Sequence, residues 1–111
     1  MKQGDIYLTD FSPSKGHEYK KERPAVIISG NSILKGSSLI TVMPITSNTS
    51  GKVNDNIEIK KDKANKLYKD SIIKVKDIHS FDPIRFKAKI GEVSDDILAQ
   101  IKSYIPKHFN L

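Results

Sequence analysis

Short apolar stretches follow one another along most of the chain and predict β-strands. Residues 5–11 alternate in part, with Ile6 and Leu8 on one face, which predicts a first strand. Residues 24–29 are apolar and rich in β-branched side chains, as in a buried strand. Polar segments with turn-forming residues separate the apolar stretches. The remaining strands are predicted at 38–45, 53–59, 71–78 and 88–93, and the connections at 12–22, 30–32, 46–56 and 60–70.

The apolar period changes near the C-terminus and predicts one helix. Ser94 is a suitable N-cap, and two aspartates follow it in the first turn, where the helix dipole favours negative charge. Pro106 is expected to end the helix, and Pro44 predicts an edge strand or a bulge, because proline has no N–H to donate. The apolar positions at helical spacing are Ile97, Leu98, Ile101, Tyr104 and Ile105.

Five to seven short strands followed by an amphipathic helix predict a mainly β fold, a small and strongly bent barrel packed by the C-terminal helix. A length of 111 residues fits one domain over 1–111. No apolar run approaches the roughly 18 residues that span a membrane. The polar N-terminus has no apolar signal segment. We therefore expect a cytoplasmic protein.

Composition narrows the possible chemistry. The chain has no cysteine, which excludes disulfides, zinc–thiolate sites and thiol nucleophiles. No group of histidines and carboxylates shows metal-ligand spacing, so we expect neither a metal nor another cofactor. The net charge of +6 attracts polyanions. Many small basic domains bind no nucleic acid, so charge alone leaves that question open.

An ordered set of motifs is more specific. Gly4-Asp5-Ile6-Tyr7-Leu8 opens the first strand, Ser12-Pro13 and Gly16-His17-Glu18 lie in the following loop, and Arg23-Pro24 enters an apolar strand. Together these motifs resemble the MazF/PemK family of toxins from type II toxin–antitoxin systems. The resemblance extends over 4–105 through Pro44-Ile45-Thr46-Ser47 and the segments 69–73, 77–82 and 90–94.

The resemblance implies an SH3-like barrel that acts as a homodimer. It implies an endoribonuclease that cleaves single-stranded RNA, including mRNA, at short motifs without a metal. The products would carry a 2′,3′-cyclic phosphate and a 5′-hydroxyl. The expected partner is a cognate acidic antitoxin whose disordered tail folds into the basic groove. The family's catalytic arginine maps onto Arg23 and its catalytic threonine onto Thr46.

The chemistry of these two residues agrees with that assignment. Arginine is a permanent cation whose planar donors fit a phosphate, and its very high pKa makes it a poor base. Arg23 is therefore assigned to charge stabilisation in the transition state, and Pro24 restricts it to extended backbone. Thr46 can bond a phosphate oxygen or orient the 2′-OH. The alternatives are a surface cation at a loop end and an ordinary strand-end threonine.

Further residues are predicted to bind RNA. Tyr19 can stack on a base or pack within its loop, and Glu18 can read a base edge, orient Arg23 or pair with a neighbouring lysine. Many members of the family carry Arg or Lys where this chain has His79, which can contact phosphate and exchange a proton near neutral pH, or be only a polar strand-end residue. The complete set of predicted contacts is His17, Glu18, Tyr19, Lys20, Lys21, Ser47, Asn48, His79 and Ser80.

Two other functions remain open at this stage. The gyrase-binding toxin CcdB is similar in fold to MazF, so the barrel alone does not separate a nuclease from a non-enzymatic poison. A plain SH3-like module that only binds RNA or protein would also explain the charge and the strands. The Arg23-Pro24 and Ile45-Thr46 motifs favour the nuclease.

Overall fold

The structure is a computed structural model that describes residues 1–12, 21–36, 38–48 and 55–111. In these ranges the chain forms seven β-strands, two α-helices and one 3-10 helix. The elements are β1 (Asp5–Asp10), β2 (Glu22–Ile27), α1 (Asn31–Gly36), β3 (Ile40–Thr46), β4 (Ile57–Ile59), β5 (Ser71–Ile73), β6 (His79–Phe81), the 3-10 helix (Pro83–Arg85), β7 (Phe86–Glu92) and α2 (Asp95–Phe109).

The strands form one antiparallel sheet in the order β4-β5-β3-β2-β1-β7, with β6 paired to the first half of β3. This confirms the predicted mainly β fold with a C-terminal helix. Among the described residues the hydrogen-bonded path starts at β4 and ends at β7, so the sheet is open and the predicted barrel is not closed by hydrogen bonds.

Pro44 lies in the middle of the sheet, so the predicted edge position is wrong. Residues 40–42 of β3 pair with β6, whereas Ile45 and Thr46 pair with β5. Pro44 occupies the change of partner, where no N–H is required on that side. Its carbonyl accepts a bond from the Lys74 N–H at 2.9 Å. The missing donor is therefore tolerated in a central strand.

Both faces of the central strands are buried. Along β2, Val26 belongs to the main core under α2, whereas Ala25 and Ile27 belong to a second cluster on the opposite face. This two-sided burial explains why the β2 sequence is a continuous apolar run and not an alternating one. The second cluster also contains Ile40 and Val42, with Tyr7, Phe11, Leu34, Phe81 and Phe86 packed against it.

Local turns shorten or replace three predicted elements. The predicted strand 71–78 ends at Ile73, because the chain turns through an Asp77 N–H to Lys74 carbonyl bond and β6 then begins. The predicted turn at 30–32 opens α1, with the Gly30 carbonyl accepting bonds from two N–H groups of that helix. Of the predicted strand 53–59, only 57–59 is a strand, and 53–54 lie outside the described residues.

Helix α2 begins as predicted and ends later than predicted. The Ser94 hydroxyl accepts the Ile97 N–H at 3.2 Å, which confirms the N-cap. The helix continues through Pro106 and ends at Asn110, which adopts a left-handed conformation. The predicted stop at Pro106 is wrong because, so close to the helix end, proline removes only one backbone bond, on an exposed part of the helix. The helix is too short and too polar to cross a membrane, and no other described helix qualifies.

Residues 60–70, here called the Asn65 loop, form an ordered turn. Asn65 is 1% exposed, its side-chain carbonyl accepts the Asp62 and Leu67 N–H groups, and its amide donates to the Lys60 carbonyl at 2.8 Å. Leu67 inserts into the main core. The loop also packs on β7, where the Glu92 N–H bonds the Ala64 carbonyl at 3.0 Å. The sequence predicted only a charged connection here, a solvated loop or a short turn of helix, and missed its buried residues.

Close contact between the Asn65 loop and Gly91 generates a stability prediction. A Cβ at position 91 would lie 2.5 Å from the carbonyl oxygens of Ala64 and Asn65, both of which are backbone atoms. We expect Gly91→Ala to lower the free energy of unfolding by about 1–3 kcal/mol, because the loop must shift away from β7. Urea unfolding measures this change. Gly36→Ala is the matched control, since a Cβ there meets nothing within 4 Å; equal urea midpoints for the two variants would contradict the prediction.

Candidate active site

The register of the sheet brings Arg23 and Thr46 together. β2 pairs Ala25 with Pro44, and the same register continued by two residues places Arg23 opposite Thr46. Side chains two apart along a strand share a face. Since Ala25 and Val42 lie in the same apolar cluster, Arg23 and Thr46 project from that face as well. Both side chains are half-buried at the edge of the cluster.

Arg23 is supported from its other side by β1. Thr9 pairs with Arg23 in the β1–β2 register, is fully buried, and donates its hydroxyl to the Tyr7 carbonyl at 2.9 Å. Arg23 therefore lies between two threonines on neighbouring strands. The sequence analysis did not identify Thr9, because a threonine in a strand carries no distinguishing signal before the register is known.

Thr46 is held by a local turn at the end of β3. Its hydroxyl oxygen accepts the Asn48 N–H at 3.2 Å. A hydroxyl that accepts one bond can still donate its proton to another group. The turn therefore orients the oxygen while a donor remains for an anion placed between Thr46 and Arg23. Ser47 and Asn48 follow directly and are exposed.

His79 lies on the same face but further along the sheet. It pairs with Val42 in the β3–β6 register, four residues from Thr46. Four residues of extended strand span roughly 13 Å. The imidazole is half-buried, stacks on Phe81 with ring centroids 5.3 Å apart, and meets the edge of Phe11 at 5.3 Å. Phe11, His79 and Phe81 are called the aromatic cluster below.

The other predicted contacts fall into three groups. Ser80 bonds Thr41 at 2.8 Å, and alternation places this pair on the face opposite to His79, so the structure does not bring Ser80 to the site. Lys21 is exposed just before β2, and its carbonyl accepts the Phe11 N–H at 2.9 Å. The remaining four predicted contacts, His17, Glu18, Tyr19 and Lys20, lie outside the described residues.

Arg85 is a second arginine near the site that the sequence analysis missed. It is half-buried, its guanidinium lies 5.2 Å from the centre of the Phe81 ring, and it donates to the carbonyls of Asp10 and Ser12. These bonds tie the end of β1 to the 3-10 helix after β6. Only the Asp82-Pro83 turn signal marks this region in the sequence, and it does not indicate which residue faces inward.

The described residues contain no group of three His, Asp or Glu side chains placed to hold a metal ion. What the geometry provides is a cation and a hydroxyl on adjacent strands, which suits an anionic group with several oxygens.

An open antiparallel sheet, a C-terminal helix and an arginine–threonine pair on one face characterise this small basic β-protein. A family model described as "PemK-like, MazF-like toxin of type II toxin-antitoxin system" matches residues 2–109. The chain belongs to this family, as the motifs around Arg23-Pro24 predicted.

Comparisons with individual proteins support this family assignment. The chain is 37% identical over 106 residues to a protein of Staphylococcus saprophyticus named Endoribonuclease MazF, covering 95% of this chain and 88% of the relative. It is similar in fold to MazF from Deinococcus radiodurans, with a TM-score of 0.80 and 20% identity over 100% and 97% of the two chains. It also resembles a mycobacterial endoribonuclease solved with its cognate antitoxin, with a TM-score of 0.78 and 15% identity over 100% and 96%.

The contacts of Arg85 generate a second stability prediction. Arg85→Ala removes donors from the Asp10 and Ser12 carbonyls, and Ser12 is buried. An unpaired buried acceptor costs about 1–3 kcal/mol. We expect the free energy of unfolding to fall by that amount in urea titrations. The neighbouring exposed Lys87→Ala is the control; a loss in Arg85→Ala no larger than in the control would show that the two carbonyls are satisfied without the guanidinium.

Proposed function

We propose that this chain is an endoribonuclease toxin that cleaves single-stranded RNA between Arg23 and Thr46. The observation that carries the proposal is the β2–β3 register, which sets these two side chains opposite each other on one face. Membership of the toxin family and the 37% identity to a protein named Endoribonuclease MazF support the reaction class.

The proposed reaction is an internal transfer within the RNA. The 2′-oxygen attacks the adjacent phosphorus, a bond from phosphorus to O2′ forms, and the bond from phosphorus to O5′ breaks. The 2′-hydroxyl loses a proton and the departing 5′-oxygen gains one. The products are a 2′,3′-cyclic phosphate and a 5′-hydroxyl. Negative charge accumulates on the oxygens of the pentacoordinate phosphorus, so fixed donors aimed at those oxygens lower the barrier.

Arg23 and Thr46 supply such donors. The guanidinium presents two parallel N–H groups to a phosphate and stays charged throughout. Because Arg23 is half-buried, its attraction for the phosphate exceeds that of a freely solvated cation. Thr46, oriented through its Asn48 bond, donates to a second oxygen or holds the 2′-hydroxyl. Neither residue is assigned as the base.

His79 is proposed to contact a different nucleotide from the one that is cleaved. Its register partner Val42 lies four residues from Thr46, roughly 13 Å of extended strand, so His79 sits further along the sheet than the pair proposed to hold the cleaved phosphate. Its aromatic neighbours, Phe11 and Phe81, are suited to holding the ring in place. Of the two roles predicted from the sequence, this placement supports lining the RNA-binding face. Lys21, Ser47 and Asn48 are proposed as further contacts, since all three are exposed near Arg23 and Thr46.

The proposed protein partners are an acidic antitoxin and a second copy of the chain. The net charge of +6 suits an acidic tail that occupies the RNA-binding face. The mycobacterial structure, an endoribonuclease with its cognate antitoxin, supports a partner of this kind. Homodimerisation rests on the family resemblance and on exposed apolar side chains, Ile33, Leu39 and Ile84, that a second copy can bury. Light scattering of the purified chain measures the dimer.

Arg23 variants test the proposed function. Arg23→Ala should lower kcat/KM on a long single-stranded RNA by roughly 100-fold or more. Arg23→Lys should recover only part of the loss, since an ammonium lacks the planar fork. The assay contains chelator and maps the cleaved ends, which should carry 5′-hydroxyls. Lys35→Ala, exposed on α1, is the control. Intact RNA with the unmodified chain would refute the nuclease and favour a non-enzymatic poison.

A His79 variant tests whether the imidazole binds RNA or takes part in proton transfer. We expect His79→Gln to raise KM while the pH profile of kcat between about pH 5 and pH 9 keeps its shape. The physical reason is that His79 contacts bound RNA without exchanging the transferred proton. Loss of one limb of the profile in His79→Gln would instead assign the imidazole to proton transfer.

A further inference from the structure

The Asn65 loop concentrates positive charge at one place on the protein surface. Residues 60–70 hold five lysines and two aspartates, so this short segment carries +3 of the chain's net charge of +6. All five lysines are exposed. They are Lys60, Lys61, Lys63, Lys66 and Lys69. Positive charge at this density attracts a polyanion unless neighbouring carboxylates neutralise it.

The two carboxylates of the loop bond its own backbone. Asp62 accepts the N–H groups of Ala64 and Asn65 at 2.9 and 2.7 Å, and Asp70 accepts the Lys61 N–H at 2.9 Å. Within the described ranges none of the five loop lysines forms an ion pair with a carboxylate. Four lysines elsewhere do form one, namely Lys2, Lys74, Lys89 and Lys107. The ammonium groups of the loop can therefore bind an external anion without first breaking such a pair.

The loop presents these lysines from an ordered backbone. Asn65 joins its two sides through hydrogen bonds, and Leu67 anchors it in the main core. Lys66 adopts a left-handed conformation with φ of 52°, and its N–H bonds the Asp62 carbonyl at 3.1 Å. Gly91 lets β7 approach the loop closely. A backbone that is already ordered loses little freedom when a ligand binds, which lowers the cost of binding.

The loop lies on the face of the sheet opposite to the candidate active site. Leu67 packs in the main core together with Val26 and Ile45. Since successive residues of a strand face opposite sides, Arg23 and Thr46 project from the other face. A ligand bound at the loop therefore makes contacts that are separate from those at the arginine and the threonine.

We propose that the Asn65 loop is a second RNA-binding surface, which holds the sugar–phosphate backbone outside the segment that is cleaved. The inference rests on the proposed nuclease function for the choice of RNA as the polyanion. Lysines contact phosphates without reading sequence, so the loop contributes affinity and no cleavage motif. Tyr68, which is 91% exposed among these lysines, favours RNA over an acidic peptide, because bases stack on an aromatic ring.

Binding of an uncleavable RNA at several salt concentrations tests the loop. The probe is a fluorescein-labelled 2′-O-methyl oligouridylate, whose blocked 2′-oxygen cannot attack phosphorus, and fluorescence anisotropy measures its Kd. The loop variant carries Lys61→Gln, Lys63→Gln and Lys66→Gln. We expect Kd to rise roughly 10-fold or more at low salt. The slope of log K against log salt should become shallower by about 2, since each phosphate contact on a single strand contributes about 0.7.

A charge-matched variant separates the loop from the net charge of the protein. It carries Lys35→Gln, Lys87→Gln and Lys102→Gln, three exposed lysines outside the loop. We expect this variant to change the slope by less than half as much as the loop variant. Replacement of the three loop lysines by arginine should keep both Kd and slope, since the charge is retained. Equal slopes for the loop variant and the charge-matched variant overturn the proposal.

Two further measurements separate the loop from the active site and from a peptide partner. In an Arg23→Ala background the loop substitutions should weaken RNA binding by the same factor, and no weakening there overturns a separate surface. Loop-dependent binding by a chain that cleaves no RNA refutes the nuclease and keeps the loop. Unchanged RNA affinity together with weaker binding of an oligoglutamate peptide to the loop variant overturns the proposal and assigns the loop to an acidic peptide.

Discussion

The pairing of β2 with β3 is the constraint on which the rest of the site depends. A one-residue slip in this register would move Arg23 to the opposite face of the sheet and exchange the two apolar clusters. That slip is strongly disfavoured because both faces of these strands are buried, with Val26 under α2 and Ala25 and Ile27 in the second cluster. The burial that holds the core together therefore also holds the arginine opposite the threonine.

The Arg85 hydrogen bonds and the Asn65 loop fix chain segments on two sides of the β2–β3 pair. Arg85 bridges the end of β1 to the chain after β6, so the aromatic cluster keeps its position beside the site. The Asn65 loop performs a similar role on the other side, where Leu67 is pinned in the core and Tyr68 is left outside. These contacts are hydrogen bonds from side chains to backbone carbonyls and amides.

The sequence analysis gave His79 two functional roles, contact with phosphate and proton exchange, and its position in the sheet bears on which of them it performs. On one face, Arg23 and Thr46 supply the cation and the hydroxyl that are proposed to hold the cleaved phosphate. His79 pairs with Val42, four residues or roughly 13 Å of extended strand from Thr46, and its imidazole lies among aromatic rings. In the proposed function, an RNA that follows this face meets both positions, one for the reaction and one for binding. The distance follows from strand geometry and from the pairing of β6 with the first half of β3.

Local chemistry in the sequence determined the elements that depend on neighbours in the chain: the Ser94 cap, the apolar run of β2, the helix, and the motifs that indicated the toxin family and Arg23. Prediction from the sequence failed where contacts between distant chain segments decide the position or the length of a strand. Pro44 is tolerated in a central strand because β3 changes partner there, and the strand predicted over 71–78 ends at Ile73, before a turn that leads to β6. Thr9 and Arg85 acquire significance only from what lies opposite them. Register and close packing at Gly91 depend on contacts between residues far apart in the sequence, so only the tertiary structure decided them.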